Sequence, residues 1–109
     1  MTKKFELAKK EFKEKILEFS TPIKVLNIGS NSRNRIDDDN LDSERDLDII
    51  IVVDNHVDCY EYLKKISAIL KSMIIKYEIL ITAYPIKEEV YLKGESEFLD
   101  NVRKHGVEI

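Results

Sequence analysis

Cysteine occurs once, at Cys59, which excludes a disulfide within these 109 residues and any pair of thiols at metal-ligand spacing. Long apolar runs are missing as well. No stretch approaches the roughly 18 residues that a membrane-spanning helix needs, and Met1-Thr2-Lys3-Lys4 leads into interleaved Lys and Glu rather than the apolar core of a signal peptide. An excess of positive charge is lacking too: 21 acids against 18 bases leave a net charge of −3. That balance argues against a broad electrostatic grip on nucleic acid, although local basic clusters remain open. There is no internal repeat and no low-complexity segment. These absences lead to the expectation of a cytoplasmic protein. Its length and 43% hydrophobic content fit a single domain over residues 1–109, with one modest core and no room for a second lobe.

What is present divides cleanly by period. Phe5, Ala8, Phe12, Ile16 and Phe19 recur at steps of three and four, which predicts an amphipathic helix over residues 2–19. Ser20-Thr21-Pro22 breaks it, and residues 23–28 read as a short buried strand ending at Gly29. Residues 31–45 hold only Ile36 and Leu41 as sizeable apolar side chains and include Asp37-Asp38-Asp39, the composition of a solvated stretch. Residues 46–54 (DLDIIIVVD) then form a near-continuous β-branched run that suits a central strand covered on both faces. A second helical period, carried by Tyr60, Leu63, Ile66, Leu70, Met73 and Ile74, predicts a helix over about 58–76. Residues 77–84 read as a third strand with Pro85 behind it, residues 96–104 as a short helix stopped by Gly106, and Val107-Glu108-Ile109 as an apolar tail. Helices packed on a small mixed sheet, in the α+β (mixed α/β) class, are the expected architecture.

Three features converge on one chemistry. Gly29-Ser30 ends the first strand, Asp46 and Asp48 stand two residues apart in the second, and Glu78 lies near the start of the third. Carboxylates at i and i+2 of a strand point the same way, about 7 Å apart, close enough to share one cation or clamp two. Mg²⁺ takes an octahedral oxygen shell from one or two carboxylates plus phosphates and water. A third acid on a neighbouring strand can hold a second ion or accept a proton from an attacking hydroxyl. Glycine lets the backbone approach phosphate closely, the serine hydroxyl and following amides can donate to phosphate oxygens, and Arg33 or Arg35 can offset triphosphate charge. The set is suited to phosphoryl or nucleotidyl transfer.

Gly29-Ser30, a polar spacer, and Asp46-Leu47-Asp48 followed by an apolar run together resemble the signature of the DNA polymerase β-type nucleotidyltransferase superfamily. The likeness is to its minimal members in particular, the minimal nucleotidyltransferase (MNT) antitoxins paired with HEPN toxins. The tail from Phe98-Leu99 through Gly106-Val107 is similar to the ending common in those small proteins, so the resemblance runs from about residue 23 to 109. Fifteen residues separate Ser30 from Asp46 where the family places about ten. Asn31 stands where the family has its first loop arginine, Arg33 matches the second, and Asn34 replaces a glycine. The resemblance implies a polymerase β-like palm sheet, Mg²⁺ at Asp46, Asp48 and Glu78, and ATP held by Gly29, Ser30 and Arg33. It further implies transfer of AMP to a tyrosine of a HEPN-family toxin, that is, protein AMPylation within a toxin-antitoxin system.

Other residue readings are plainer. Asp37 to Asp39 and Asp42 read as a solvated loop, His56 and His105 as surface residues beside turns, and Cys59, Met73, Tyr60, Tyr62 and Tyr77 as packing residues. Two rival functions accompany the enzyme. One is a binding-only antitoxin that blocks its partner without catalysis. The other is nucleotidyl transfer to an RNA 3′ end such as tRNA, disfavoured by the net charge but served by Lys3, Lys4, Lys9, Lys10 and Lys13.

Overall fold

The computed structural model describes residues 3–28 and 46–109. Its elements in chain order are α1 (Lys3–Leu17), β1 (Lys24–Ile28), β2 (Asp46–Val53), α2 (Cys59–Tyr77), β3 (Leu80–Lys87), α3 (Glu88–Lys93), α4 (Glu97–His105) and β4 (Val107–Glu108). The class is α+β, as the period changes along the sequence require.

Among the described residues the strands form one mixed sheet in the order β3-β2-β1-β4. β1 pairs antiparallel with both β2 and β4, whereas β2 and β3 run parallel, with α2 supplying the crossover that a parallel pair needs. The β-branched run of β2 lies between two neighbours, and Leu47, Ile49, Ile50, Ile51, Val52 and Val53 are all buried, which accounts for a strand without simple apolar-polar alternation.

The two faces of the sheet carry separate apolar clusters. On the first face, Phe5, Ala8, Phe12 and Ile16 of α1 and Tyr62, Ile66 and Met73 of α2 pack on Val25, Leu47, Ile49, Ile51, Val53, Ile81 and Ala83. On the second, Tyr91 of α3 and Val102 of α4 cover Leu26, Ile50 and Val52, with Ile28 and Ile86 at the margin. Arg103 ties the covering helices together by donating to the carbonyls of Tyr91 (2.6 Å) and Gly94 (2.8 Å), acceptors that the end of α3 otherwise leaves without a helical partner.

Local chemistry sets the ends of the helices. Asp58 caps α2 by accepting from the amides of Tyr60 and Glu61, and Ser96 caps α4 by accepting from that of Leu99. At the end of α4, a Cβ on Gly106 would come within 2.7 Å of the Val102 carbonyl oxygen, so glycine is required there by close approach rather than by a left-handed backbone.

Three sequence expectations shift. The third strand begins at Leu80 rather than residue 77 and continues through Pro85 to Lys87, because β3 is an outer strand where a missing amide is tolerated. α2 takes up Tyr77, whose hydroxyl donates to Glu11 of α1 at 2.5 Å. The apolar tail becomes β4, with Asn27 opposite Val107 and Leu26 opposite Glu108.

Candidate functional site

The sheet register decides what surrounds the paired acids. Asp48 faces Ile28 across the antiparallel pair and Thr82 across the parallel one. Asp46 opens β2 two residues earlier, its backbone paired with Leu80. Because side chains alternate along a strand, Thr82 belongs to the same face of β3 as Leu80 and Tyr84, and that face is the one α3 and α4 cover only in part. Leu80 and Tyr84 remain more than half exposed, at 56% and 55%, so among the described residues no helix covers β3 beside Asp48.

The Thr82 hydroxyl donates to Asp48 Oδ1 at 2.6 Å. The distance is at the short end for a hydroxyl bonding to a carboxylate, the charge-assisted kind of hydrogen bond. It engages one of the two carboxylate oxygens. A half-buried aspartate on a central strand, hydrogen-bonded through one oxygen and following a second aspartate two residues earlier in the sequence, is a suitable ligand for a hard cation. The donor chemistry fits Mg²⁺. Among the described residues no three His, Cys, Asp or Glu side chains cluster as a metal-binding group.

Glu78 is not on a strand. It caps the C-terminus of α2 with φ 56° and ψ 39°, the left-handed region, and its amide donates to the Ile74 carbonyl at 2.8 Å. Its side chain is exposed. It precedes β3 by two residues, so the β3 positions beside Asp46 and Asp48 are filled by Leu80 and Thr82 rather than by a carboxylate. Gly29, Ser30 and Arg33 lie outside the described residues.

The end of α2 that carries Glu78 is anchored to α1. Lys76 Nζ and the Tyr77 hydroxyl both reach Glu11 Oε1, at 2.8 and 2.5 Å. The hydrogen bond from Lys76, and then that from Tyr77, hold the Glu11 carboxyl below its usual titration range, and Glu11 in turn raises both Tyr77 and Lys76. Near the N-terminal end of α2, the Tyr62 phenol is pushed up by burial while its hydroxyl donates to Ser20 Oγ at 2.9 Å.

Sequence reasoning reached Asp46 and Asp48 but missed Thr82. A lone hydroxyl in the apolar run of residues 79–83 was the only signal, and its meaning depends on parallel register, which sequence patterning does not encode. Comparison of the chain with protein-family models, with curated proteins and with solved structures returns no match. Among the described residues no helix is long and apolar enough to cross a membrane.

Proposed function

We propose that the chain is a cytoplasmic, Mg²⁺-dependent nucleotidyltransferase that moves AMP from ATP to a hydroxyl of a partner protein. The resemblance implies that the acceptor is a tyrosine of a HEPN-family toxin. The observation that carries this reading is Asp48 itself: half-buried, held by Thr82 at 2.6 Å, and set at the open end of the central strand two residues after a second aspartate.

In this reading Asp46 and Asp48 would hold Mg²⁺, which would supply positive charge to offset that of the triphosphate. Gly29, Ser30 and Arg33 bind the β- and γ-phosphates. The acceptor oxygen forms a bond to the α-phosphorus, the bridge from the α- to the β-phosphate breaks, and pyrophosphate leaves. The acceptor's proton passes to a carboxylate, for which the exposed Glu78 is the candidate on this chain. The exposed surface of Leu80 and Tyr84 beside Asp48 leaves a protein acceptor room to approach.

The test is intact-mass spectrometry of the protein with the product of its neighbouring gene, after incubation with Mg²⁺ and ATP. One added AMP on the partner, absent with Asp48→Asn, supports the proposal. A stable complex of unchanged mass supports the second reading, a binding-only antitoxin. That reading is favoured by one observation: the β3 positions paired with Asp46 and Asp48 are Leu80 and Thr82, neither of them an acid.

A further inference from the structure

We infer that Thr82 is a positioning residue for the cation site, orienting Asp48 through its hydroxyl so that one carboxylate oxygen is held and the other is presented to the ion. The inference rests on the reading of Asp46 and Asp48 as metal ligands.

Several observations converge on this role. Thr82 and Asp48 occupy paired positions on adjacent parallel strands, so the backbone ladder sets their separation before either side chain chooses a rotamer. Threonine is β-branched and restricted at χ1, so its hydroxyl is held at Asp48 with little further loss of freedom. The bond is 2.6 Å long and partly buried, which makes it stronger than an exposed contact. Packing does not explain the residue either. Leu80 and Tyr84, its same-face neighbours on β3, are exposed, and the apolar cluster on this face is built from Leu26, Ile50, Val52, Tyr91 and Val102 instead. An aspartate without such a partner would sample several rotamers and would lose that freedom on binding a cation. Fixing it beforehand lowers the cost, which is how groups behind metal ligands raise affinity.

The experiment is a titration of the full-length chain with Mn²⁺ alone, followed by the electron paramagnetic resonance signal of the free ion. It is run on the wild type and on Thr82→Val, Thr82→Ser and Asp48→Asn, each with a thermal melt to confirm folding. Valine keeps the shape of threonine and removes the hydroxyl; serine keeps the hydroxyl. The expected result is roughly tenfold weaker Mn²⁺ binding in Thr82→Val, near-wild-type binding in Thr82→Ser, and loss of binding in Asp48→Asn. Wild-type affinity in Thr82→Val, with binding still lost in Asp48→Asn, would overturn the positioning role and leave the metal site standing. A wild-type chain that does not bind Mn²⁺, or an Asp48→Asn variant that binds as well as wild type, would overturn both. Should Thr82→Val fail to fold, Thr82→Ala is read by the same criterion.

Discussion

On one face of the sheet, α1 and α2 bury every inward side chain of β2 from Leu47 to Val53. On the other, α3 and α4 cover Ile50 and Val52, and among the described residues no helix covers Asp48, Thr82, Leu80 and Tyr84. The same strand therefore serves two purposes at positions one residue apart. Where a helix covers the sheet, a side chain contributes mainly through the area it removes from water. Where no helix covers it, a half-buried acid can keep a fixed geometry and still meet a ligand. Substitutions on the covered face should therefore change stability, and those at the open end should change binding.

The largest effect expected is from Phe12→Ala. The ring is fully buried between α1 and the covered face, and its removal should cost about 3–5 kcal/mol in urea unfolding. A loss under about 1 kcal/mol would mean that the covered face is not where stability resides.

Asn27 sharpens the contrast from the opposite direction. It is 1% exposed on the covered side of β1, opposite Ile49, and among the described residues neither its amide nitrogen nor its oxygen has a hydrogen-bond partner. Asn27→Leu should raise stability by about 1–3 kcal/mol, the cost of leaving such a group buried and unpaired. A destabilised variant would show that the amide has a partner in solution.

Glu78 has a smaller stake. A residue with a Cβ in the left-handed region costs about 1 kcal/mol relative to glycine, so Glu78→Gly should stabilise by about that amount. If transfer activity falls while stability rises, the carboxylate acts in chemistry at the cost of backbone strain. Unchanged activity would remove Glu78 from the site.

The smallest effect is pH-dependent. Lys76 and Tyr77 lower the Glu11 carboxyl, so the folded state holds that proton less tightly than the unfolded chain does. The resulting stabilisation is fully present above the ordinary carboxylate range and is lost as pH falls through the lowered folded value. The stability difference between wild type and Glu11→Gln, followed by urea unfolding from neutral to acid pH, should shrink toward the acid end. A difference that stays constant would contradict the clamp.

Much of this was legible in the sequence, and the limits have physical causes. The helical periods led to residues 2–19 and 58–76, against Lys3–Leu17 and Cys59–Tyr77, because burial on one face of a helix leaves a repeat of three and four. The strand at residues 46–54 was visible from its β-branched content and is β2, Asp46–Val53. Composition alone starts the third strand at residue 77, three residues before Leu80, since Tyr77 has the same strand-like composition as its followers and joins α2 through a contact with Glu11, 66 positions away. α3 leaves no sequence signal, because its six residues show too little of a helical repeat to stand out. At the site, the i and i+2 acids could be read directly. Thr82 and the displacement of Glu78 could not, because both follow from how β3 aligns with β2.

The most direct test of the central claim is transfer of label from ATP carrying ³²P at the α-phosphate to the partner protein, with wild type and with an Asp48→Asn variant matched in melting temperature. The account predicts label on the partner with wild type and none with Asp48→Asn. Equal labelling by both would contradict it, because Asp48 would then be an ordinary strand residue and the open end of the sheet would not be the place where the chemistry occurs.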